Sequence, residues 1–378
     1  MKDTLSITLC GDLCPTDDTI DIFLNNGPEK LFHDVLDVFQ ESDILFGNLE
    51  YVLTDNPIPI KKNGPILSAP TKTISILQKS GFDLLSLANN HIKDCGEEGV
   101  KSTIETCQKI KIDTFGAAAN IEEAKKPFVK EINGFKIGFI AFAEQEFNTA
   151  DEDSYGSSYF DPYEDLDLIE KTKTEVNYLI IIYHGGIEYF PYASPQLKKK
   201  CRRFVDKGAD LVLCQHSHCI GSFEDYKESK ILYGQGNTLF GYKNGNEQWN
   251  TGLIVKLLLK VGEKPEISFI PITAIQEGGI RLLKDKERES VLKQLEKRSL
   301  DMNNKDFLNS EWNSFVKKKS LFYLPYLLGF NRYLIHLNRF SNNRFVRLFY
   351  PQRKLKTSHN IIRCEAHNEV IQNILKNY

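Results

Sequence analysis

Short apolar runs, each closed by a polar cluster, recur along the first two thirds of the chain. Segments 5–10, 43–46, 84–88, 178–183 and 210–215 are of strand length and largely β-branched or leucine-rich, so each predicts a buried strand. Between them, 70–80 and 196–207 carry apolar residues at helical spacing and are closed by Gly81 and Gly208, which predicts crossover helices. Segments 128–132 and 135–142 alternate around Asn133-Gly134, a hairpin signal. The acidic and aromatic stretch 144–167, punctuated by Gly156, Ser157, Ser158 and Pro162, reads as a long loop of the kind that forms a lid or substrate-binding segment. Strands at 231–233, 253–259 and 267–272 complete the sheet-forming part. From Arg281 onward the period turns helical and lysine plus arginine become roughly twice as frequent as aspartate plus glutamate. The expected division is therefore a domain over 1–275 and a helical, basic and aromatic-rich extension over 281–378. Segment 284–300 reads as a charged surface helix.

The polar clusters carry the candidate chemistry. They are Gly11-Asp12, Asn48-Leu49-Glu50, Asn89-Asn90-His91, His184-Gly185-Gly186 and His216-Ser217-His218. In an α/β sheet the loops after the strand carboxyl ends gather along one edge, so residues distant in sequence meet there. Imidazoles and carboxylates suit zinc, manganese or iron. Each cluster also has a plainer reading: Asp12 as a turn residue before Pro15, Asn90 and His91 as a cap for a helix beginning near Glu97, Asn48 as a local turn stabiliser. Glu188, four residues after His184, is a candidate to orient that imidazole or to bind a substrate amine, against a solvated loop charge. Asp94 and Asn237 are weaker candidates in turn-like contexts. Cys214 and Cys219 flank the His-x-His block without the paired spacing of a thiolate site.

Composition narrows the class. A formal net charge of -3 over 378 residues leaves no overall footprint for nucleic acid. The first residues pass straight into the first strand and no apolar run is long enough to span a bilayer. Eight scattered cysteines fit reduced thiols. The expectation is a cytoplasmic chain. Segment 321–349 mixes Phe322, Tyr323, Tyr326, Phe330, Tyr333 and Phe340 with Arg332, Arg339, Arg344 and Arg347. Either this is a helical cap packing its aromatics on the catalytic domain, or it makes peripheral contact with an anionic membrane or docks a partner. Oligomeric state is left open by the sequence.

The ordered blocks Gly11-Asp12, Gly47-Asn48-Leu49-Glu50, Leu87-Ala88-Asn89-Asn90-His91 with Asp94 and Gly96, His184-Gly185-Gly186-Ile187-Glu188-Tyr189, His216-Ser217-His218 and Tyr233-Gly234-Gln235-Gly236-Asn237 resemble the CapA capsule-synthesis family across roughly 5–272. The resemblance implies a calcineurin-like metallophosphoesterase fold, a four-layer αββα sandwich with metal ligands on strand-end loops, here with a helical C-terminal extension. It implies a role in capsule, exopolymer or poly-gamma-glutamate metabolism on a polymer or small-molecule substrate. It further implies Asp12, Asn90, His184, His216 and His218 as ligands of one or two divalent ions (manganese, zinc or iron) and His91 as the acid for the leaving group. The chain departs from the phosphoesterase pattern twice: Cys14 stands where a histidine ligand is usual and Asn48 where a bridging aspartate is usual. Glu50 is the candidate replacement carboxylate. If it serves, two ions remain plausible; if it does not, the neutral Asn48 is a poor bridge between cations and one ion is expected. A metal-dependent hydrolase or transferase, a general metallophosphoesterase and a non-catalytic assembly factor all remain open at this point.

Overall fold

The computed structural model describes residues 3–376. Those residues divide into two compact units, the first ending at Asn303 and the second beginning at Asn304.

In the first unit an eight-stranded sheet runs in the order Ile280–Leu282, Glu266–Ala274, Thr251–Lys260, Thr4–Leu13, Ile44–Leu49, Leu84–Ser86 and Asp113–Phe115, with Asn237–Leu239 alongside the end of Thr4–Leu13. A six-stranded sheet runs Phe223–Tyr226, Ser229–Leu232, Leu211–Gln215, Tyr178–His184, Phe135–Ala143 and Phe128–Ile132. The alternation along each strand decides the layering. Leu5, Ile7, Ile44 and Phe46 of the first sheet meet Phe139 and Ile182 of the second in one core, with the Phe46 and Phe139 rings stacked at 6.1 Å. Leu45 and Leu49 point the other way, into a core with the helices Ile74–Lys79 and Gly96–Lys109. The outer face of the six-stranded sheet is covered by Pro195–Asp206, whose Phe204 lies 6.0 Å from both Phe142 and Tyr183. The result is the expected four-layer αββα sandwich.

Local sequence explains the boundaries. Helix Pro195–Asp206 starts on the Ser194 side chain, which accepts from the Leu197 amide, has proline at its first position, and is followed by Gly208 at φ 111°. The hairpin turns on Asn133 (φ 53°) and Gly134 (φ 84°), as a two-residue turn of this hand requires. The expected helix over 70–80 is a 3-10 turn, Thr71–Thr73, leading into Ile74–Lys79. In the expected loop, Gly156–Ser157 pairs with Ala117–Ala118.

The helix read as a charged surface element, Asp285–Asp301, belongs to the first unit. Its Leu295 is only 1 % exposed and joins the inter-sheet core, with Val291 and Leu292 packed beside it. Four apolar residues among seventeen, of which Leu300 is exposed, are too few to register as a stripe. The second unit therefore begins about twenty residues later than the charge shift at Arg281 suggests. It contains Lys305–Leu327, followed by Gly329 (φ 67°), then Arg332–Phe340, Arg344–Phe349, Gln352–Arg363 and Glu365–Lys376. Among the described residues no helix is long and apolar enough to cross a membrane.

Candidate metal centre

Strand parity aims the site. Along Ile44–Leu49 the even positions face the second sheet, so Asn48 continues inward from Ile44 and Phe46, and Glu50 follows two residues on. Along Thr4–Leu13 the odd positions Leu5, Ile7 and Leu9 face inward, which would turn Asp12 outward. A bulge between Leu9 and Asp12 adds one residue, so Leu9 pairs with Phe46 but Asp12 with Asn48. Parity is thereby reversed and Asp12 faces the site. Gly11 permits this, because a Cβ there would sit 2.6 Å from the Gly236 carbonyl oxygen. Tyr178–His184 ends on His184 with the parity of Ile180 and Ile182, so its imidazole enters the same space. Below it, the Gln235 amide donates to the Leu9 and Leu253 carbonyls and the Gln215 amide to Gln235 Oε1, tying the sheets together.

The side chains gathered there are almost wholly removed from water: Glu50, Asn48, Asp12 and His184 are at most 1 % exposed, and His91, His216 and His218 are buried. Glu50, His184 and His216 each bring one donor atom into a group whose members lie within 4.8 Å of one another. Both Glu50 oxygens and His216 Nδ1 are buried without a hydrogen-bond partner. Such orphaned groups are costly unless something else satisfies them. One carboxylate and two imidazoles facing one point form a donor set suited to manganese, iron or zinc, so the residues fit the metal that the resemblance implies.

The other expected ligands surround this trio. Asp12 Oδ1 accepts from Asn48 Nδ2 at 2.8 Å, and Asp12 Oδ2 from the His216 amide at 3.1 Å. Asn48 Nδ2 also faces His184 Nδ1 at 3.1 Å, and Asn90 Oδ1 meets His184 Nε2 at 3.0 Å. His218 Nδ1 meets Asn237 Oδ1 at 2.8 Å and its ring lies 4.6 Å from that of Trp249. His216 and His218 have φ of 82° and 51°, a left-handed backbone that costs non-glycine residues on the order of 1 kcal/mol each. The Asp12 acceptor and the bond from the Tyr189 amide to the Ser217 carbonyl hold that turn in place.

Glu188 stands apart. It is exposed, beyond the turn made by Gly186 (φ 120°), and the His184 nitrogens meet Asn48 and Asn90 instead. A glutamate four residues on in sequence is carried away because the two glycines bend the chain out of the strand direction. Glu144, at the end of the neighbouring strand, supplies the local carboxylate, accepting from the Gly186 amide and the Tyr183 hydroxyl at 3.2 Å each. Cys14 is 1 % exposed, its Sγ donating to the Pro15 carbonyl at 3.3 Å, and burial raises its thiol well above the ordinary value. It is a neutral packing residue.

Lys62 escaped the sequence reading. Adjacent lysines in a stretch of prolines and glycine look like solvated charge, and nothing local marks one of them as buried. Yet the Lys62 side chain is 2 % exposed and forms an ion pair with Asp94, itself 1 % exposed. Asp94 Oδ2 also accepts from the Leu67 amide and meets His91 Nδ1, both at 2.7 Å. Lys62 Nζ also lies 3.2 Å from His91 Nδ1, so that nitrogen is engaged by the ion pair while Nε2 faces Glu50 Oε1 at 4.0 Å.

Burial pushes the Asp12 carboxyl up to about 6, with Glu50 adding to the rise and the site imidazoles opposing it. Burial likewise takes Glu50 up to about 7, with the His91 charge opposing. Two facing carboxyls are tolerable only while a proton or a cation sits between them. Burial lowers His184 to about 4 and His216 well below its ordinary 6.5, so both imidazoles are neutral ligands. In metal-free protein the stability contributed by the two carboxyls is full below about pH 4 and is lost as pH rises through about 6 and 7. That of His184 runs the other way, full above 6.5 and lost as pH falls toward about 4. A divalent ion held there would displace the carboxyl protons. Calorimetric titration with zinc or manganese in buffers of different ionisation enthalpy is therefore expected to show more protons released at about pH 6 than at about pH 8, with affinity rising across that interval. Equal proton release at both would contradict this assignment.

The chain belongs to the bacterial capsule synthesis protein PGA_cap family, whose model matches residues 6–242. It is 29% identical to the capsule biosynthesis protein CapA of Bacillus anthracis over 73% of this chain and 69% of that one. It is 25% identical to the PGA biosynthesis protein CapA of Bacillus subtilis (strain 168) over 79% of each. Among solved structures, a phosphatase from Mycoplasma pneumoniae aligns with a TM-score of 0.40 at 12% identity, covering 72% of this chain and 95% of that one.

Proposed function

We propose that this protein is a metal-dependent hydrolase or transferase of capsule, exopolymer or poly-gamma-glutamate metabolism, acting on an amide or phosphate ester. The observation that carries the reading is the Glu50, His184 and His216 group, with both Glu50 oxygens and His216 Nδ1 buried and unpartnered. These three residues would hold one manganese, zinc or iron ion. A single ion is favoured because the neutral Asn48 amide is engaged by Asp12 and His184 and Cys14 is an apolar packing group. When bound, such an ion supplies Lewis-acid polarisation and acidifies water.

The protein's own residues supply proton movement and orientation. Asp94 fixes the His91 tautomer, directing Nε2 to exchange a proton with the leaving group. Lys62 neutralises Asp94, so the carboxylate can be buried beside the site. Asn237 sets the His218 ring against Trp249. Lys243, exposed and 2.9 Å from the Trp249 ring centroid, adds a cation near the rim, which suits an anionic substrate.

The test combines elemental analysis with turnover of gamma-glutamyl peptides and phosphate esters. Purified protein should carry close to one metal per chain and show metal-dependent turnover on one substrate class. His91→Asn is expected to lower kcat by about 10²- to 10⁴-fold while the bound metal stays. Bound metal with no turnover on either class would leave an assembly role and end the enzymatic reading.

A further inference from the structure

The unit beginning at Asn304 buries Leu328 and Val346 but leaves many of its large apolar residues exposed. Its helix Arg332–Phe340 buries Asn338, which is fully enclosed, and exposes Tyr333, Leu337 and Phe340, with Tyr333 and Phe340 each 80 % exposed. Spacings of four and three place those three on one face. Asn338 is the interior hub: its Nδ2 donates to Asn343 Oδ1 at 2.7 Å, and its Oδ1 accepts from the Val346 amide at 3.1 Å. In the helix Arg332–Phe340 a buried asparagine with exposed aromatic residues reverses the order expected of a helix facing only water. The pattern continues on neighbouring helices, where Tyr323, Tyr326 and Leu327 are exposed at helical spacing and the adjacent Leu348 and Phe349 are exposed too. A groove of about 820 Å³ joins the first two stripes, lined by Tyr326, Phe330, Tyr333 and Leu337 and edged by Arg332 and Arg339.

Charge identifies what this face meets. From Trp312 to Cys364 the chain carries eleven lysines and arginines and not one aspartate or glutamate. Arg332, Arg339, Arg344 and Arg347 are all exposed among the apolar residues. An apolar face ringed by cations fits a lipid surface carrying negative charge, with aromatic rings at the depth of the headgroups and arginines on phosphates. Nucleic acid would also meet the cations, but exposed Leu327, Leu337 and Leu348 offer it neither a stacking surface nor a hydrogen bond. We propose that the unit 304–378 is a peripheral membrane-docking module for anionic bilayers, lying on the surface through the face that includes Tyr333, Leu337 and Phe340.

Flotation of the full chain with vesicles tests this. Vesicles of phosphatidylcholine with about 30 mol % phosphatidylglycerol should retain the protein at least about tenfold better than phosphatidylcholine alone, and raised salt should weaken retention. The triple variant Tyr333→Ser, Leu337→Ser, Phe340→Ser should lose about tenfold in retention with an unchanged circular dichroism spectrum. Arg339→Gln, Arg344→Gln, Arg347→Gln should abolish the preference for anionic lipid. Equal retention on both vesicles, or none, would overturn the proposal. So would tight binding of single-stranded RNA that outcompetes the vesicles, or a triple variant that only lowers the melting temperature or dissociates an oligomer.

Discussion

Glu50→Gln is expected to weaken binding of zinc or manganese by about 10²-fold while raising the melting temperature of the metal-free protein by about 4 °C. The two effects come from one fact, that a carboxylate is held in the interior with neither oxygen hydrogen-bonded. Structural zinc in zinc-finger peptides binds with roughly 10–16 kcal/mol shared over four donors, so exchanging one charged donor for a neutral amide is expected to cost on the order of 3 kcal/mol. Without the ion the balance reverses. Burial raises the Glu50 carboxyl from 4.5 to about 7, so ionising it at about pH 8 costs the folded state roughly 3 kcal/mol. Glutamine keeps the shape and removes that charge, and a chain of this size gains about 1–2 °C per kcal/mol. Competition with a chelating indicator measures the first effect and calorimetry at about pH 8 the second. A structural glutamate would give neither; unchanged metal affinity in Glu50→Gln would remove it from the ligand set.

The second large effect is on stability. Asp94→Ala should destabilise the protein by about 3–5 kcal/mol, because the Lys62 ammonium is left in a space that is 2 % exposed. It also strands the Leu67 amide and His91 Nδ1. Lys62→Met alone should cost less, since Asp94 keeps those two donors. In the double variant the buried cation is gone, and about 2 kcal/mol of the Asp94→Ala loss should return. Urea unfolding of the four proteins gives the coupling directly. Were Lys62 able to swing into solvent, Asp94→Ala would cost about 1–2 kcal/mol for the two lost hydrogen bonds and the coupling would vanish.

Much of the fold follows from periodicity. The strands now seen at Tyr178–His184 and Leu211–Gln215, and the hairpin at Asn133-Gly134, stand within a residue of where alternation and turn chemistry place them. Strand ends were less legible. Thr4–Leu13 and Ile44–Leu49 run on into polar residues that an apolar window leaves out, because there the strand is held by its neighbours' hydrogen bonds and not by its own hydrophobicity. Helix Asp285–Asp301 was misplaced for the converse reason: three apolar contacts suffice to dock it, and composition averages them away.

The polar clusters of the site were visible because each interrupts or ends an apolar run, and strand-end loops must converge. Which of their atoms meet was not. Glu188 lies closer in sequence to His184 than any other candidate carboxylate does, yet Glu50 and Asp12, each more than a hundred residues earlier, are the ones 3.5 and 3.7 Å from its imidazole. Lys62 gave no local sign at all.

The sequence by itself determined the α/β architecture, the change to a basic helical region and the residue types of the centre, since these depend on local period and composition. Tertiary structure decided the rest: Asp12 facing inward, Glu50 grouped with His184 and His216, and Lys62 withdrawn from water. Each depends on a bulge, a glycine-led bend or a loop path whose direction is fixed only when two sheets pack and close off solvent. The charges and unpartnered atoms of the centre acquire their chemical meaning from that exclusion of water.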